Sequence, residues 1–413
     1  MVSPVNILPG RTAHDTVRRC SDVAGRTLDG TFTLLSATGR QVHFLNDSAA
    51  AVWDAIGDGT TFDRLVDEVA GRFDVDRAIV HADVEKVLPR FGALVARGEL
   101  ENTPGNLGVP LRDGGADSWA IDSIGPLRTM ESTLVVEGPP EISNEPAVRA
   151  LFDDLKAVLE PLARCVDLRM DEPRSIVTLR VDRDGGSDGP LPRWIVSRNG
   201  DRVASIASIA RVREVVLAEV NSASIDALRH SVGWHAGAIE FPAGVVVFPG
   251  RSNAGKSTLV TQLMQRGHGY LTDEALAVDV ENGKVAPFPK SVCVDPGAKS
   301  LFPELATPRQ QDWSTWHVDP SRIGPGRLGT AGRPVAFVFP EYRRETSVSF
   351  ERLSRHEALD ALLENSFDFG PVGAAGASVL LAIADQVPCY ALIHSGQPEH
   401  LAVLEERFGA ASA

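Results

Sequence analysis

The sequence predicts two folded parts: an α/β domain built around a phosphate-binding loop, preceded by a small α+β unit of winged-helix type. The segment GRSNAGKST, residues 250–258, has the form G-x-x-x-x-G-K-[ST] and lies between an apolar run and a helical pattern. Residues 17–102 combine two strand patterns with three amphipathic helix patterns. The segment that separates the two parts, residues 102–126, is rich in Gly, Pro and Asp, which is typical of a linker.

The composition is that of an ordinary globular protein. The chain has 413 residues, which favours two or three domains, with 43% hydrophobic and 23% charged residues. A net charge of −14 disfavours a nucleic-acid partner. The N-terminus has no signal-peptide pattern and no apolar run is long enough to span a bilayer, so we expect a cytoplasmic protein without a membrane partner. The four cysteines are far apart, which favours reduced thiols over a metal site.

The front unit is predicted from periodicity and capping residues. Each of its helices shows apolar residues at i, i+3, i+4 and i+7. Pro89 is expected to bend the third helix, which we predict to run from about Arg77 to Ala96. The predicted elements are strands at 31–35 and 41–45, a helix capped by Asn46 or Asp47, a helix capped by Thr60 or Thr61, and the helix from Arg77.

The second part alternates strand and helix patterns, as α/β domains do. Asn199-Gly200 predicts a hairpin turn between two strands. Residues 307–334 form a long Gly/Pro-rich stretch that suggests a lid, with Arg322, Arg327 and Arg333 as candidate transition-state cations among which the sequence does not choose. The predicted strands lie at 133–137, 175–181, 194–198, 243–248, 270–272, 335–339 and 390–394, and the predicted helices at 147–163, 209–223, 256–266, 356–365, 374–384 and 398–408.

The phosphate-binding loop has the residue types that its chemistry needs. Glycines let backbone N–H groups converge on phosphate oxygens at a helix N-terminus, which favours anions. Lys256 would reach the β and γ phosphates, and the Ser257 hydroxyl would bind Mg²⁺. A chance Gly-rich turn is the alternative, and the flanking strand and helix disfavour it. The predicted nucleotide-binding residues are Gly250, Arg251, Ser252, Asn253, Ala254, Gly255, Lys256, Ser257 and Thr258.

Two adjacent acids follow the next short strand. Residues 270–272 deliver Asp273 and Glu274 at their carboxyl end, the edge of an open α/β sheet where ligands bind. One carboxylate would hold Mg²⁺, for which Asp273 is our candidate ligand, and the other would take a proton from an attacking hydroxyl. A solvated acidic turn is the alternative. The sequence does not divide the roles between the two acids.

Residues 235–274 resemble the HPr kinase/phosphorylase family. The shared order is a histidine (His235), a strand pair, the phosphate loop, a helix ending in R-G-H, paired acids, and then a Pro-Lys segment at 289–290. The acids here are Asp-Glu rather than two aspartates, and the arginine-containing signature of phosphorolysis is not evident, which favours kinase activity alone. The resemblance implies an α/β P-loop kinase domain of HPr kinase type that uses ATP and Mg²⁺. It also implies that His235 lies near the γ-phosphate or acceptor and that Lys290 offsets charge on the transferred group.

The front unit resembles the PqqD-like domains, also called RiPP recognition elements. The resemblance rests on L-N-x-[ST/A] at the first helix, Trp53, F-D-V-D at 73–76 and a closing G-x-[LI]. Members bind the leader segment of a ribosomally made precursor peptide by strand addition. The alternative is a winged-helix unit that binds DNA or only packs on the kinase, and its acidic side chains argue against DNA. The predicted peptide-binding residues are Gln41, Val42, His43, Phe44 and Leu45 on the strand edge, with Val84, Leu88 and Phe91 in the groove.

These observations predict a domain order and a function. We expect a PqqD-like domain at 1–103, a linker at 104–126 and an HPr kinase-like domain at 127–413, divided into an α/β subregion at 127–230 and a nucleotide-binding core at 231–413. The predicted function is ATP-dependent phosphorylation of a Ser or Thr hydroxyl on a precursor peptide, with homo-oligomerisation possible. Two alternatives stay open: a nucleotide-bound recognition module without turnover, and a small-molecule kinase.

Overall fold

The computed structural model describes residues 16–97, 123–138, 145–164, 175–184 and 193–410. Contacts divide the chain into two compact units. The first unit covers Met1–Gly114 with Gly373–Leu381, and the second covers Gly115–Val372 with Ala382–Ala413. The G-x-[LI] predicted to close the front unit, and residues 104–122 of the predicted linker, lie outside the described residues.

Residues 16–97 of the first unit form two small sheets and three helices. One sheet has the antiparallel order β2-β3-β4, so β4 lies at its edge, and the other has the order β5-β1-β6. Our sequence analysis did not predict β1, β2, β5 or β6. The elements are β1 (Thr16–Arg19), β2 (Val23–Leu28), β3 (Thr31–Ser36), β4 (Gln41–Leu45), α1 (Asp47–Ile56), β5 (Thr60–Thr61), α2 (Phe62–Phe73), α3 (Arg77–Phe91) and β6 (Val95–Arg97).

Local capping bonds fix where these helices begin. The Asn46 side chain accepts a hydrogen bond from the Ala49 N–H and begins α1, and Thr61 begins α2 in the same way. The third helix ends at Phe91, five residues before its predicted end at Ala96, because Gly92 takes a φ of 49°. Pro89 therefore lies in the last turn of α3.

The second unit begins with a five-stranded sheet of order β11-β10-β9-β8-β7. Two helices, α4 and α5, pack against it over a continuous apolar core. The turn between β10 and β11 has positive φ at both Asn199 (53°) and Gly200 (92°), as a type I′ hairpin turn requires. The elements are β7 (Ser123–Arg128), β8 (Ser132–Glu137), α4 (Pro146–Arg164), β9 (Ser175–Asp184), β10 (Arg193–Arg198), β11 (Asp201–Ile206) and α5 (Ile209–Asp226).

An eight-stranded mixed sheet follows, with the order β16-β15-β12-β13-β19-β21-β20 and with β14 also paired to β12. Because β13, β19 and β21 are parallel neighbours, their carboxyl ends meet at one edge. A separate pair, β17-β18, joins the segments around residues 293 and 317. The strands are β12 (Ser231–Phe241), β13 (Gly244–Pro249), β14 (Gly269–Thr272), β15 (Ala275–Asp279), β16 (Val285–Ala286), β17 (Val292–Val294), β18 (Trp316–Val318), β19 (Pro334–Tyr342), β20 (Ser349–Arg352) and β21 (Cys389–His394), and the helices are α6 (Lys256–Gln265), α7 (Arg355–Asn365), α8 (Ala374–Gln386) and α9 (Glu399–Phe408).

Gly237 lets helix α6 approach strand β12 closely. A Cβ atom at Gly237 would lie 2.7 Å from a methyl carbon of Val260, which is fully buried on α6. We therefore expect Gly237→Ala to lower the free energy of unfolding by about 1–3 kcal/mol, because one of the two elements must shift. Thermal or denaturant unfolding measures this. The control is Gly297→Ala, where nothing lies within 4 Å of the added carbon; an equal loss in both variants would contradict the close approach.

Candidate active site

The loop between β13 and α6 is shaped to receive an anion. Positive φ angles at Asn253 (66°) and Gly255 (86°) turn the chain into the helix, and no side chain caps its first turn. The first N–H groups of an uncapped helix are available to an anion such as phosphate. The Gly250 N–H donates to the His235 carbonyl oxygen at 3.2 Å, which ties the loop to β12.

Lys256 lies inside this loop rather than on the surface. Its side-chain Nζ donates to the carbonyl oxygens of Gly250 (2.7 Å) and Arg251 (2.8 Å), and the residue is only 5% exposed. Burial lowers the pKa of Lys256 to about 8, against the opposing attraction of Glu274 and Asp273. A desolvated ammonium group held by two carbonyls gains from an anion that replaces part of its lost hydration.

Asp273 is the fixed member of the acidic pair. Its side chain is fully buried, and its two oxygens accept hydrogen bonds from the Tyr270 hydroxyl (3.0 Å) and the Cys293 N–H (2.9 Å). Burial, followed by the charge of Asp273, raises the pKa of Tyr270 well above its usual value, so that hydroxyl remains a donor. The carboxylate of Asp273 is therefore held in one orientation by donors on two different elements.

Glu274 is the member of the pair that reaches the solvent. Its side chain is 28% exposed, and Oε2 lies 3.2 Å from the Nζ of Lys290. Burial would raise the pKa of Glu274, but the charges of Lys290 and then His235 outweigh it, and the pKa is lowered. The carboxylate is therefore ionised at neutral pH and available to a ligand in the cleft.

His235 faces Glu274 from the neighbouring strand. Its Nδ1 lies 3.7 Å from Oε1 of Glu274, and the Ala236 N–H donates to the Glu274 carbonyl oxygen, so β12 and the acidic turn are in register. Burial first, and then the positive charge of Lys256, lowers the pKa of His235, although Glu274 opposes the change. The imidazole is therefore mainly neutral at pH 7, with one nitrogen able to accept a proton.

Lys290 supplies a permanent positive charge beside both acids. Burial would lower its pKa, but Asp273, Cys293 and Glu274 together raise it well above the usual value. Its Nζ also lies 3.0 Å from the Cys293 sulfur. Burial raises the pKa of that thiol to about 12, so Cys293 is a neutral neighbour and no nucleophile.

These groups line one cleft of about 840 Å³ in the second unit. It brings together every predicted catalytic and metal-binding residue and most of the predicted phosphate loop, while the lining omits Gly250, Arg251 and Ala254. The predicted residues that line it are His235, Ser252, Asn253, Gly255, Lys256, Ser257, Thr258, Asp273, Glu274 and Lys290. Two of the arginines proposed from the sequence are bound elsewhere, since Arg327 pairs with Glu240 at 2.9 Å and Arg333 donates to the Asn282 carbonyl oxygen.

The cleft also contains residues that our sequence reasoning did not identify. Tyr342 and His394 end the parallel strands β19 and β21, and that position at the carboxyl edge of a sheet was a usable signal. Arg213 of α5 and His317 of β18 line the cleft as well, but no motif surrounds them in the sequence. Only the tertiary fold brings these two side chains to the site.

The residues present fit a nucleotide with Mg²⁺. Among the described ranges, no cluster of three or more His, Cys, Asp or Glu is arranged to hold a metal alone. Mg²⁺ commonly uses only one or two carboxylates, with phosphate oxygens and water completing its shell. The hydroxyl of Ser257 at the start of α6, together with Asp273 or Glu274 across the cleft, is a donor set of that kind.

The structure corrects the predicted peptide groove in the first unit. Val84, Leu88 and Phe91 are at most 3% exposed and belong to its hydrophobic core, where Phe91 packs edge-on against Trp53 with ring centres 5.5 Å apart. The apolar stripe of α3 is used to fold the unit and is not accessible to a peptide. Among the large apolar side chains of α3, Ile79 is exposed, at 58%.

The edge strand predicted at residues 41–45 is present and accessible, unlike the predicted groove. Residues 41–45 form β4, at the edge of the sheet β2-β3-β4. Phe44 on this strand is 56% exposed, which is high for a large apolar side chain. An edge strand with an exposed aromatic side chain is a surface to which an extended peptide can add.

Comparison with known proteins supports the assignment of the first unit. Residues 32–93 match the family model described as Coenzyme PQQ synthesis protein D (PqqD). The first unit contains a PqqD-type domain. This confirms the resemblance proposed from the sequence for that part of the chain.

The comparison with solved structures gives a weaker likeness. A solved structure of the Hpr(Ser) kinase/phosphatase from Coxiella burnetii is similar at 13% identity over 42% of this chain and 95% of that chain, with a TM-score of 0.22. A likeness at that score supports neither a fold nor an activity, so the kinase assignment stays a prediction. No curated protein matches the chain. Within the described residues, every helix is too short or too polar to cross a membrane.

Proposed function

We propose that this chain is an ATP-dependent kinase that phosphorylates a Ser or Thr hydroxyl of a ribosomally made precursor peptide, whose leader binds the PqqD-type domain. The observation that carries the proposal is the convergence of the buried Lys256, the start of α6 and the Asp273–Glu274 pair in one cleft. Phosphoryl transfer needs this combination of anion-binding amides, a cation and acidic groups.

The side chains suggest how the reaction would be assisted. When bound, ATP with Mg²⁺ supplies the transferable phosphoryl group and a cation that offsets its charge. The oxygen of the peptide hydroxyl forms a bond to the γ-phosphorus, the bond from that phosphorus to the β–γ bridging oxygen breaks, and ADP leaves. Lys256 and the first amides of α6 would hold the phosphates, and Ser257 with Asp273 would hold the metal.

Glu274 is the group that we propose takes the hydroxyl proton. Its carboxylate is ionised and partly exposed to the cleft, whereas both oxygens of Asp273 already accept protein hydrogen bonds. The neutral His235, whose Nδ1 lies 3.7 Å from Oε1 of Glu274, is close enough to take the proton from Glu274 after a small movement. Lys290 offsets the negative charge that gathers around both acids.

The PqqD-type domain supports the choice of acceptor. Tethering a leader to one part of a chain raises the effective concentration of the attached core segment at a site on the same chain. A precursor peptide that is recognised through its leader needs few direct contacts between its core segment and the cleft. Edge strand β4 is the surface that we propose for the leader.

The exposed aromatic residue on the proposed leader surface gives a direct test of binding. We expect Phe44→Asp to weaken leader-peptide affinity about tenfold or more, because an exposed apolar anchor is replaced by a charge. Fluorescence anisotropy of a labelled leader peptide measures this. The matched control is Ile176→Asp on β9 of the second unit, which is 64% exposed and should leave affinity unchanged. An equal loss in both variants would contradict leader binding at this surface.

Phosphoryl transfer is tested by incubating the full chain with ATP, Mg²⁺ and a precursor peptide that keeps its leader. Mass spectrometry should find a peptide heavier by one phosphate, and fragmentation should assign it to Ser or Thr. Removal of the leader should slow transfer, since only the tethered substrate reaches a high local concentration. Binding of ATP and of peptide without product would refute the kinase and indicate a nucleotide-bound recognition module instead.

A further inference from the structure

His394, the last residue of β21, has unused hydrogen-bonding groups. The residue is 2% exposed, and neither ring nitrogen makes a hydrogen bond of normal geometry with the described part of the chain. Burial first, and then the neighbouring His400, lowers its pKa to about 4 against the opposing Ala254 carbonyl. At neutral pH the ring therefore carries one N–H donor and one acceptor nitrogen. The Ala254 carbonyl can serve at most one of the two nitrogens, so at least one nitrogen has no hydrogen-bond partner within the described part of the chain. Buried polar groups usually have a partner, which a bound ligand would supply here.

The ring lies directly beside the phosphate-binding loop. A Cβ atom built on Gly255 would be 3.3 Å from both Cε1 and Nε2 of His394, which is closer than an ordinary van der Waals contact, so this edge of the ring lies against the loop. His394 also lines the same cleft as Lys256 and Ser257. A ligand held by the loop would therefore pass next to the unsatisfied nitrogens.

An exposed aromatic ring continues the same surface. Tyr342, at the end of β19, is 50% exposed and meets the His394 ring edge-on, with centres 5.9 Å apart. The backbone also approaches Tyr342 at Gly396, which has a φ of 80° and where a Cβ atom would lie 3.5 Å from the ring. We call Tyr342, His394 and Gly396 the aromatic patch.

The chemistry of the aromatic patch differs from that of the rest of the cleft. Its side chains are an imidazole and a phenol, whereas the cleft lining also includes the cations Lys290, beside Cys293, and Arg213. Neutral rings with a donor and an acceptor suit a heteroaromatic base and a sugar hydroxyl better than a second phosphate. The patch adjoins the loop through Gly255, so one ligand can reach both.

We propose that the aromatic patch binds the nucleoside half of the nucleotide, with the base against Tyr342 and with His394 hydrogen-bonded to the nucleoside. This inference rests on the proposed function only in assuming that the loop holds the phosphates of a nucleoside di- or triphosphate. It assigns the part of the cleft that Arg213 and His317 line to the acceptor.

Calorimetric titration of the full chain with ADP and, separately, with inorganic pyrophosphate tests the inference in Mg²⁺ buffer. We expect His394→Phe to weaken ADP binding about tenfold, the loss typical of one unmade hydrogen bond, while pyrophosphate affinity stays within about twofold. Tyr342→Ala should likewise weaken ADP about tenfold, and Tyr342→Phe, which keeps the ring, should bind ADP as the unaltered chain does. Equal losses for ADP and pyrophosphate, or none for either, would overturn the inference.

Thermal unfolding separates a binding role from a structural one. His394→Phe keeps a ring beside Tyr342 and removes two unsatisfied buried nitrogens, so the melting temperature without ligand should stay the same or rise. The increase in melting temperature that ADP produces should shrink in this variant. A lower melting temperature without ligand, with an unchanged increase on adding ADP, would mean that His394 is structural and would overturn the inference.

The result is distinguishable from a failure of the proposed function. If ADP affinity depends on Tyr342 and His394 but no peptide is phosphorylated, the nucleoside site stands and the kinase is refuted. If the chain phosphorylates a peptide but neither substitution changes ADP affinity, the kinase function is supported and the nucleoside site is refuted. A chain that binds neither ADP nor pyrophosphate refutes both.

Discussion

Lys256→Ala is expected to reduce phosphoryl transfer to the precursor peptide by about a thousandfold, because it removes the preorganised cation that the phosphate loop holds for the transferring group. The ammonium group has already lost most of its hydration, and its two present partners are backbone carbonyls of the same loop. Because the ammonium group is already desolvated, binding phosphate costs it little further hydration, and its attraction to the charge that develops on the phosphate oxygens is strong. Single-turnover transfer, followed by mass spectrometry, measures the loss.

Two controls separate chemistry from folding in this experiment. Lys256→Met keeps the buried apolar stem but removes the charge, so it should be as inactive as Lys256→Ala while its unfolding temperature stays equal or rises. Lys284→Ala removes an exposed lysine of the same unit and should retain full activity. If either Lys256 variant kept transfer within about tenfold of the unaltered chain, the loop would not be the phosphate site.

The phosphate loop and the first two helices could be predicted because their determinants are local. The loop motif, its preceding strand and its following helix span about 22 residues of continuous sequence, and β13, the loop and α6 occur in that order. The starts of α1 and α2 follow from side chains three residues away from the amides they cap. Features that depend on such short-range interactions can be predicted from the sequence without knowledge of the tertiary structure.

The groove predicted on α3 shows where such reading fails. A periodic apolar stripe indicates that one face of a helix is buried, but not whether the protein core or a ligand covers it. Val84, Leu88 and Phe91 face the core, so the stripe accounts for folding and not for recognition. The strands β1 and β2 were missed for a related reason, since their short, mixed sequences carry little alternation.

Long-range contacts explain the features of the cleft that the sequence did not predict. Asp273 is oriented by the N–H of Cys293, which is 20 positions later, and His394 meets the loop at Gly255 from the end of a strand near the C-terminus. Neither contact follows from spacing, because each depends on how the strands are ordered in the sheet. The order β13-β19-β21 is what brings Tyr342 and His394 to the carboxyl edge beside the loop.

Asp273→Asn and Glu274→Gln are expected to separate folding stability from turnover. Asp273 accepts from the Tyr270 hydroxyl and the Cys293 N–H and lies 3.7 Å from the Lys290 Nζ, with its side chain fully buried. Replacing one carboxylate oxygen by NH₂ places a hydrogen-bond donor opposite the Tyr270 hydroxyl or the Cys293 N–H, which are donors themselves. One of the two hydrogen bonds is then lost or lengthened. The change also leaves buried Lys290 with less negative charge, so we expect a loss of about 3 kcal/mol in the free energy of unfolding, together with loss of transfer.

Glu274→Gln should lose transfer without that loss of stability. Its carboxylate is 28% exposed, so its pairing with Lys290 is partly screened by solvent and should contribute under about 1 kcal/mol. Transfer should fall about 10²–10⁴-fold, because the amide cannot accept the hydroxyl proton. Denaturant unfolding and single-turnover transfer, measured on both variants, provide the two readouts. A stable Glu274→Gln chain with normal transfer would exclude Glu274 as the base. The proton acceptor would then have to be Asp273 or the neutral His235, whose Nδ1 lies 3.7 Å from Oε1 of Glu274.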